Sequence, residues 1–491
     1  MRLDDFQADD RRLIMPTAGG DMHYHCLNCS RSSDIDRIFY TCPHCGGILL
    51  IESEEPARLT PQEWRRRFDL RKLVTLPQIR GIFRYHELIA PILPLDCIIY
   101  LGEGHTPMIE ASSSLTQAVG INLAFKNDGQ NPSASFKDRG MAGAMSYINY
   151  LLKYKNAGQI LSICASTGDT SAAAALYAAY LAPQVVSAVL LPAGKVTPQQ
   201  LAQPLGAGAV VFEIPGVFDD CMKVAEYLAE HYQVALLNSK NAWRIRGQES
   251  YAYEIAQDLD YDLNDQTLLV PIGNAGNISA IMAGFLRLRR LNIITSLPGI
   301  IGVQSEHADP VFRYYQQPEE RRFAPVDVAP SVAQAAMIGN PVSMPRVISL
   351  AAQYQETGGQ FAVVRVSEQE IMDSMLTANR HGHIACTQGG ESLAGLRRAL
   401  ELKLIKNNRH VILDSTAHHL KFIGFQQMYF DGAFPPEFGI KPKKELSNTP
   451  REVSAPGPHP ETGRPLYGNE LKKFVGETAR AIAANLGLEY R

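Results

Sequence analysis

From about Gly102 onward the chain alternates short β-branched and aliphatic runs with stretches whose apolar positions recur at helical spacing. The runs predict strands at 159–164, 185–191, 209–214, 233–237, 267–272, 300–303, 361–366 and 410–413. Amphipathic helices are predicted between them, for example at 219–232 and 367–379. The second opens with Ser367-Glu-Gln-Glu370, the pattern of a capping box. Strand and helix in such alternation predict an α/β protein with mostly parallel sheets, whose ligands sit outside the carboxyl ends of the strands.

Three segments break the alternation. Residues 170–194 carry no charge and are long enough to span a bilayer, but they are Ala-rich and Pro183 divides them. A helix followed by a buried strand is therefore expected, and no membrane partner. Residues 20–55 form a cysteine-rich module, followed by a basic helical stretch at 61–72 and a catalytic-sized core to residue 434. Beyond it, 435–467 is rich in Pro, Lys, Glu and Gly and reads as an extended wrapping arm, with helical periodicity resuming at 469–486. The first twelve residues are studded with Asp and Arg and show no apolar signal-peptide segment, so the cytoplasm is the default expectation.

Composition adds mainly exclusions. Hydrophobic residues at 45% and charged residues at 20% rule out wholesale disorder. A net charge of −3 supplies no global field for nucleic acid or anionic lipid. The basic run Arg65-Arg66-Arg67 with Arg71-Lys72 is read as a solvated helix face; the rival, a nucleic-acid-binding ribbon on an inactive enzyme shell, finds little support in the charge balance.

The cysteines change the picture more. Cys26-Leu-Asn-Cys29 and Cys42-Pro-His-Cys45-Gly-Gly place two thiolates at each of two turns, which together close a tetrahedral S₄ site for structural Zn²⁺. With four sulfurs no open position remains for catalysis, and His25 and His44 are surplus. Cys97, Cys164, Cys221 and Cys386 stand in apolar contexts and are expected to be packed thiols.

Three loops carry candidate chemistry. In Asn131-Pro-Ser-Ala-Ser-Phe-Lys137-Asp-Arg-Gly-Met141, Ser135 is expected to cap a helix running from about Phe136 to Leu152, which puts Lys137 in its first turn. The positive end of the helix dipole disfavours a structural cation there and favours the uncharged amine of a Schiff-base lysine; the competing reading is a solvated lysine beside Asp138 and Arg139. Gly273-Asn274-Ala275-Gly276-Asn277 lies between a predicted strand and helix, where backbone N–H groups converge on a phosphate. It lacks both a Walker Lys-Ser/Thr and the Gly-x-Gly-x-x-Gly of dinucleotide binders, so it suits a small phosphorylated cofactor. Ala165-Ser166-Thr167-Gly168-Asp169-Thr170 forms a hydroxyl-rich anion pocket before a helix, or simply its cap.

In this order, together with Asn238-Ser239-Lys-Asn-Ala-Trp-Arg244-Ile-Arg-Gly-Gln248, the loops resemble the fold-type II family of pyridoxal-phosphate-dependent enzymes, its threonine synthases most closely, over roughly residues 100–425. The resemblance implies two open, mostly parallel sheets flanked by helices. It implies that Lys137 carries pyridoxal phosphate and acts as catalytic base, and that Gly273, Asn274, Ala275, Gly276 and Asn277 hold the cofactor phosphate. Ser166, Thr167 and Thr170 would bind the substrate carboxylate. Asp169, where many relatives have Asn, would face the cofactor's 3′ oxygen, and Thr416 its pyridine nitrogen. Asn238, Ser239 and Arg244 would hold the phosphate of O-phosphohomoserine. The implied reaction is that of a carbon–oxygen lyase: γ-elimination and β-hydration to threonine and phosphate. Gln388-Gly-Gly-Glu391 fits no family motif, and the zinc module is absent from many members. Both leave room for β-replacement on O-phosphoserine with sulfite; threonine dehydration fits less, because its substrate has no phosphate. A homodimer is the family-level expectation.

Overall fold

In the computed structural model all residues are described except 17–18, 55–57, 167, 194–197, 217, 233, 318–320, 407–408, 462–463 and 490–491, and the side chains of 198–200, 218 and 219. Among the described residues thirteen strands form three sheets. β1 (Met22–Cys26), β2 (Ser32–Asp34) and β3 (Leu49–Ser53) make a small antiparallel sheet in the order β2-β1-β3. The large sheet draws on β4 (Met108–Glu110), β5 (Asn122–Asn127), β10 (Gln266–Pro271), β11 (Gly299–Ser305), β12 (Phe361–Val366) and β13 (His410–Ser415), ordered β12-β11-β10-β13-β5-β4. All its pairings are parallel except that of β4 with β5. The third, wholly parallel sheet has β6 (Ile160–Ala165), β7 (Val185–Pro192), β8 (Val210–Ile214) and β9 (Val234–Leu236) in the order β8-β7-β6-β9.

The predicted strands all appear, with boundaries shifted by a residue or two; Gln233, predicted to open β9, lies outside the described residues. Parallel strands covered on both faces read as unbroken apolar runs, and β11 is buried along its whole length. Two large-sheet strands have no such signature. β5 carries Lys126 inside its run, and that ammonium is buried between Glu254 at 3.2 Å and Asp258 at 2.9 Å. β4 is a three-residue edge strand, partly or fully exposed. The uncharged segment folds as expected, into the helix Asp169–Tyr180 and then β7. No helix among the described residues is long and apolar enough to cross a membrane.

Two expectations are corrected. The basic stretch is a helix, Pro61–Leu73, capped by Thr60, but it is solvated only in part, at Arg66 and Lys72. Arg67 and Arg71 are buried and clamp the buried Glu87 at 2.8 and 2.7 Å. Burial alone would raise that carboxyl, but the two guanidiniums hold it down at about 2. Nor does Ser135 cap the lysine helix: the helix Lys137–Tyr154 has Phe136 at its N-cap position and no side-chain cap. Residues 134–136 instead pair with the chain beyond β13, with Phe136 N–H donating to Thr416 O at 2.9 Å and His418 N–H to Ala134 O at 3.0 Å. That bridge, rather than a cap, sets where the lysine begins its helix.

The cysteine module docks on helices that carry site residues. Trp243 donates its indole N–H to Tyr24 of β1 at 3.1 Å and stacks on Tyr147 of the lysine helix with ring centroids 4.3 Å apart. Tyr147 in turn donates to the carbonyl of Ile35 at 2.6 Å.

Candidate active site

The lysine helix crosses the helix Ala242–Gln248 at a contact that only glycines allow. A Cβ on Gly140 would sit 3.0 Å from the Arg244 carbonyl oxygen, one on Gly143 3.0 Å from that of Trp243, and one on Gly247 would overlap the Arg139 carbonyl. The two backbones therefore touch, and Arg244 stands close enough for its charge to bear on the Lys137 amine. Lys137 is partly accessible yet ringed by protein. Desolvation is the main cause, and the Arg244 charge the second, that push its amine from the usual lysine range down to about 7. Asp169 opposes the shift without cancelling it. Capture of pyridoxal phosphate by the cofactor-free protein should accelerate as pH rises through about 7, because only the neutral amine attacks. An ordinary lysine would accelerate near about 10.4. A stopped-flow absorbance series across pH reads this directly, and a midpoint above about 9 would contradict the burial argument.

Asp169 opens its helix almost fully buried, and Lys421 lies against it at 3.1 Å. Lys421 also donates to the carbonyl of Ser133 at 2.8 Å and to the Gln203 side chain at 2.9 Å, so it ties the lysine turn to the loop after β6. Asp138, wholly buried, accepts the Ser133 N–H at 2.8 Å, and burial pushes its carboxyl up to about 7. Ser166 accepts the Gly168 N–H at 3.2 Å, and Thr170 is half-buried in the first helical turn. Thr167 lies outside the described residues.

Gly273 to Asn277 turn from β10 into the helix Gly276–Arg290. Ala275 takes the left-handed conformation at φ 61°, which costs an L-residue about 1–2 kcal/mol and aims the following N–H groups outward from the helix start. A Cβ on Gly273 would sit 2.9 Å from Ala336 Cα, and the Asn274 carbonyl accepts the Ser343 N–H at 3.1 Å, so the turn is covered from behind. Asn277 donates to Asp414 at 2.8 Å while its own carbonyl oxygen is buried without a partner. Thr416 follows β13, buried, beside Cys386 at 3.7 Å. An amine, an anion-binding turn and a neutral hydroxyl at the carboxyl ends of adjacent strands fit a phosphorylated pyridine aldehyde.

Arg244 is buried, donates to the carbonyl of Leu237 at 2.9 Å, has an unpartnered Nε and meets no carboxylate among the described residues. Burial pulls its pKa down to about 10. Asn238 is buried with its side-chain oxygen unpartnered, and Ser239 is half-buried beside it.

At the other site, the sulfurs of Cys26, Cys29, Cys42 and Cys45 lie within 4.8 Å of one another, with Cys26–Cys45 at 3.5 Å and Cys29–Cys42 at 3.7 Å. Four converging thiols with no histidine among them fit a tetrahedral zinc. The remaining four cysteines are buried. In the Gln388-Gly-Gly-Glu391 segment the two glycines allow close packing: a Cβ on Gly390 would crowd Met375 at 2.9 Å, and one on Gly389 would stand 3.2 Å from the Ser415 hydroxyl.

Sequence reasoning assigned no role to Lys421, although it stands five residues after Thr416, or to Arg346, whose surroundings have no local signal at all.

The family model that matches this chain is described as pyridoxal-phosphate dependent enzyme and covers residues 99–415. The threonine synthase of Methanocaldococcus jannaschii is 35% identical over 404 residues, 82% of this chain and 93% of the relative. Threonine synthase 2, chloroplastic, of Arabidopsis thaliana is 32% identical over 398 residues, 80% of this chain and 75% of the relative. Among solved structures, threonine synthase from Escherichia coli shares the fold with a TM-score of 0.63 at 19% identity, covering 86% of this chain and 93% of its own. The pyridoxal-phosphate-bound threonine synthase from Brucella melitensis does so with a TM-score of 0.59 at 18% identity, covering 82% and 90%. Matched by the family model over most of its length and by threonine synthases over four-fifths of it, this chain belongs to the pyridoxal-phosphate-dependent enzyme family and, within it, to the threonine synthases.

Proposed function

We propose that this site converts O-phosphohomoserine and water to threonine and phosphate, with Lys137 as its base and Arg244 as the ligand of the substrate's phosphate. The observation that carries this reading is the meeting of a half-buried, easily neutralised lysine and a buried arginine that meets no carboxylate among the described residues, on two helices in glycine contact. Pyridoxal phosphate, when bound, supplies the electron sink that lets a Cα proton leave an amino acid. Lys137 would hold the cofactor, and its amine, poised near neutrality, would take the Cα proton with little cost at physiological pH. The 273–277 turn anchors the cofactor phosphate through N–H groups at a helix start. Ser166, Thr167 and Thr170 bind the substrate carboxylate. Asn238, Ser239 and Arg244 hold the γ-phosphate and stay with it as the Cγ–O bond breaks, where negative charge grows on the leaving oxygen. Thr416, a neutral hydroxyl, would serve the cofactor's pyridine nitrogen, and Asp169, already paired with Lys421, its 3′ oxygen.

The test is the cofactor-loaded protein with O-phosphohomoserine. Threonine and phosphate released in equal amounts support the reading. A yellow protein inert to that substrate but active on O-phosphoserine with sulfite would move the assignment. A colourless protein after reconstitution would sink it.

We further infer that residues 20–55 are a zinc ribbon seated on a 56–434 core, with 435–491 as an arm and helix. The purified chain should then carry about one zinc ion, and Cys42→Ser should lose it by elemental analysis. Hydrogen exchange in β1 and β3 should rise in that variant while β10 and β13 stay protected. Unchanged zinc in Cys42→Ser would place the metal elsewhere.

A further inference from the structure

Arg346 is wholly buried in the helix Met344–Glu356, and no carboxylate pairs with it among the described residues. Its guanidinium donates instead to four neutral oxygens. Nη1 bonds the Ser239 carbonyl at 3.1 Å and the Ser343 hydroxyl at 2.9 Å; Nη2 bonds the Leu49 carbonyl at 2.7 Å and the Lys240 carbonyl at 3.2 Å. Its Nε is buried without a partner. Burial unrelieved by any counter-charge pulls its pKa down to about 9.

A buried guanidinium surrounded only by dipoles is expensive to keep. Two facts account for its being here. The first is connectivity. Leu49 opens β3 of the cysteine module, Ser239 and Lys240 form the loop between β9 and the Arg244 helix, and Ser343 donates its N–H to Asn274 of the cofactor turn at 3.1 Å. One side chain thus joins three segments remote in sequence. The second is charge. Arg244 is also buried and pairs with no carboxylate among the described residues, and it grips the same loop through Leu237 O and through the Asn241 side chain that accepts its backbone N–H at 3.2 Å. Lys240, the other cation of the loop, is already paired with Glu226. Two uncompensated guanidiniums flanking one polar loop match the two charges of a phosphate dianion.

We propose that Arg346 is a positioning residue for the substrate's phosphate: it fixes the Ser239–Lys240 backbone, supplies the second uncompensated positive charge, and ties that loop to the metal module through Leu49. The proposal rests on reading Asn238, Ser239 and Arg244 as the phosphate site. It carries a consequence for the module, which then acts on substrate affinity rather than serving only as a stabilising appendage. Emptying the metal site loosens Leu49, and through Arg346 the phosphate loop.

The test is calorimetric binding of inorganic phosphate to the full chain loaded with pyridoxal phosphate, so that the cofactor's own phosphate cradle is filled. Arg346→Met should weaken phosphate binding about 10- to 100-fold, the range for losing bonds and charge around one anion, with the cofactor's visible spectrum unchanged. Arg346→Lys should recover part of that loss, because an ammonium restores the charge and some of the bonds. Chelating the zinc from the wild-type chain should also weaken binding, and chelation in Arg346→Met should add little further, since the two act through one connection. Arg346→Lys carries the measurement alone if Arg346→Met does not fold. Wild-type phosphate affinity in Arg346→Met, or in Arg346→Lys if that variant stands alone, would overturn the proposal, as would chelation losses that multiply with those of Arg346→Met. Arg244→Leu separates the two readings. If it too binds phosphate normally, the substrate-phosphate assignment itself fails; if it alone loses binding, only the role of Arg346 does.

Discussion

Lys137→Ala is expected to purify colourless after incubation with pyridoxal phosphate and to form threonine at least about 10⁴-fold more slowly than the parent. Both losses follow from one atom, since the amine that holds the cofactor is also the base at Cα. No loss of stability should accompany them. The Lys137 amine makes no hydrogen bond among the described residues and meets only the Phe136 ring at 4.1 Å. Desolvation disfavours its charge, so the folded state gives up nothing when the amine is removed. Absorbance, a threonine assay and a thermal melt on the same sample test all three statements. A variant that stays yellow would move the cofactor to another lysine, and Lys421 would be the first to examine.

Arg244→Leu is expected to lower kcat/KM for O-phosphohomoserine by about 10²- to 10³-fold, with most of the change in KM. The magnitude corresponds to losing a charge-assisted, two-pronged grip on phosphate while Asn238 and Ser239 remain. Melting should be unchanged or slightly higher, because replacing a buried charge that has no acidic partner by an apolar side chain removes a desolvation cost. Arg139, in the first turn of the facing helix, makes the contrast. It is equally buried but clamps Asp128 at 2.7 Å and Glu254 at 2.6 Å, and that pairing drives the Glu254 carboxyl well below its usual range even though burial opposes it. Arg139→Leu should therefore cost about 3–5 kcal/mol, by stranding Asp128 and leaving Glu254 with Lys126 as its remaining ion-pair partner. Chemical denaturation of the two variants side by side checks the difference. Equal destabilisation would mean that Arg244 is structural and that its lack of a carboxylate has no bearing on substrate.

The same contrast marks what a linear reading delivers. Alternating apolar runs and amphipathic stretches show an α/β chain because strand and helix periodicities are local properties of neighbouring residues. Two Cys-x-x-Cys pairs show a cluster of four converging thiols because each pair is a single turn. The order of the lysine, hydroxyl, Arg244 and glycine loops shows the family because each loop is contiguous. Charged residues mislead when their partners are distant. The arginines at 67 and 71 look solvated until Glu87 stands between them, and Lys126 hides a central strand until Glu254 and Asp258 neutralise it. Ser135 looks like a cap until the chain beyond β13 pairs with its neighbours.

By itself, then, the sequence determined the fold class, the family and the cysteine cluster, each written in patterns local to neighbouring residues. Tertiary structure alone decided which of the buried charges have partners. Lys421 meets Ser133 across 288 residues, and Arg346 meets Ser239 across 107 and Leu49 across 297. Desolvation and pairing depend on what packs around a charge, and no local pattern encodes which distant segments the fold will bring there.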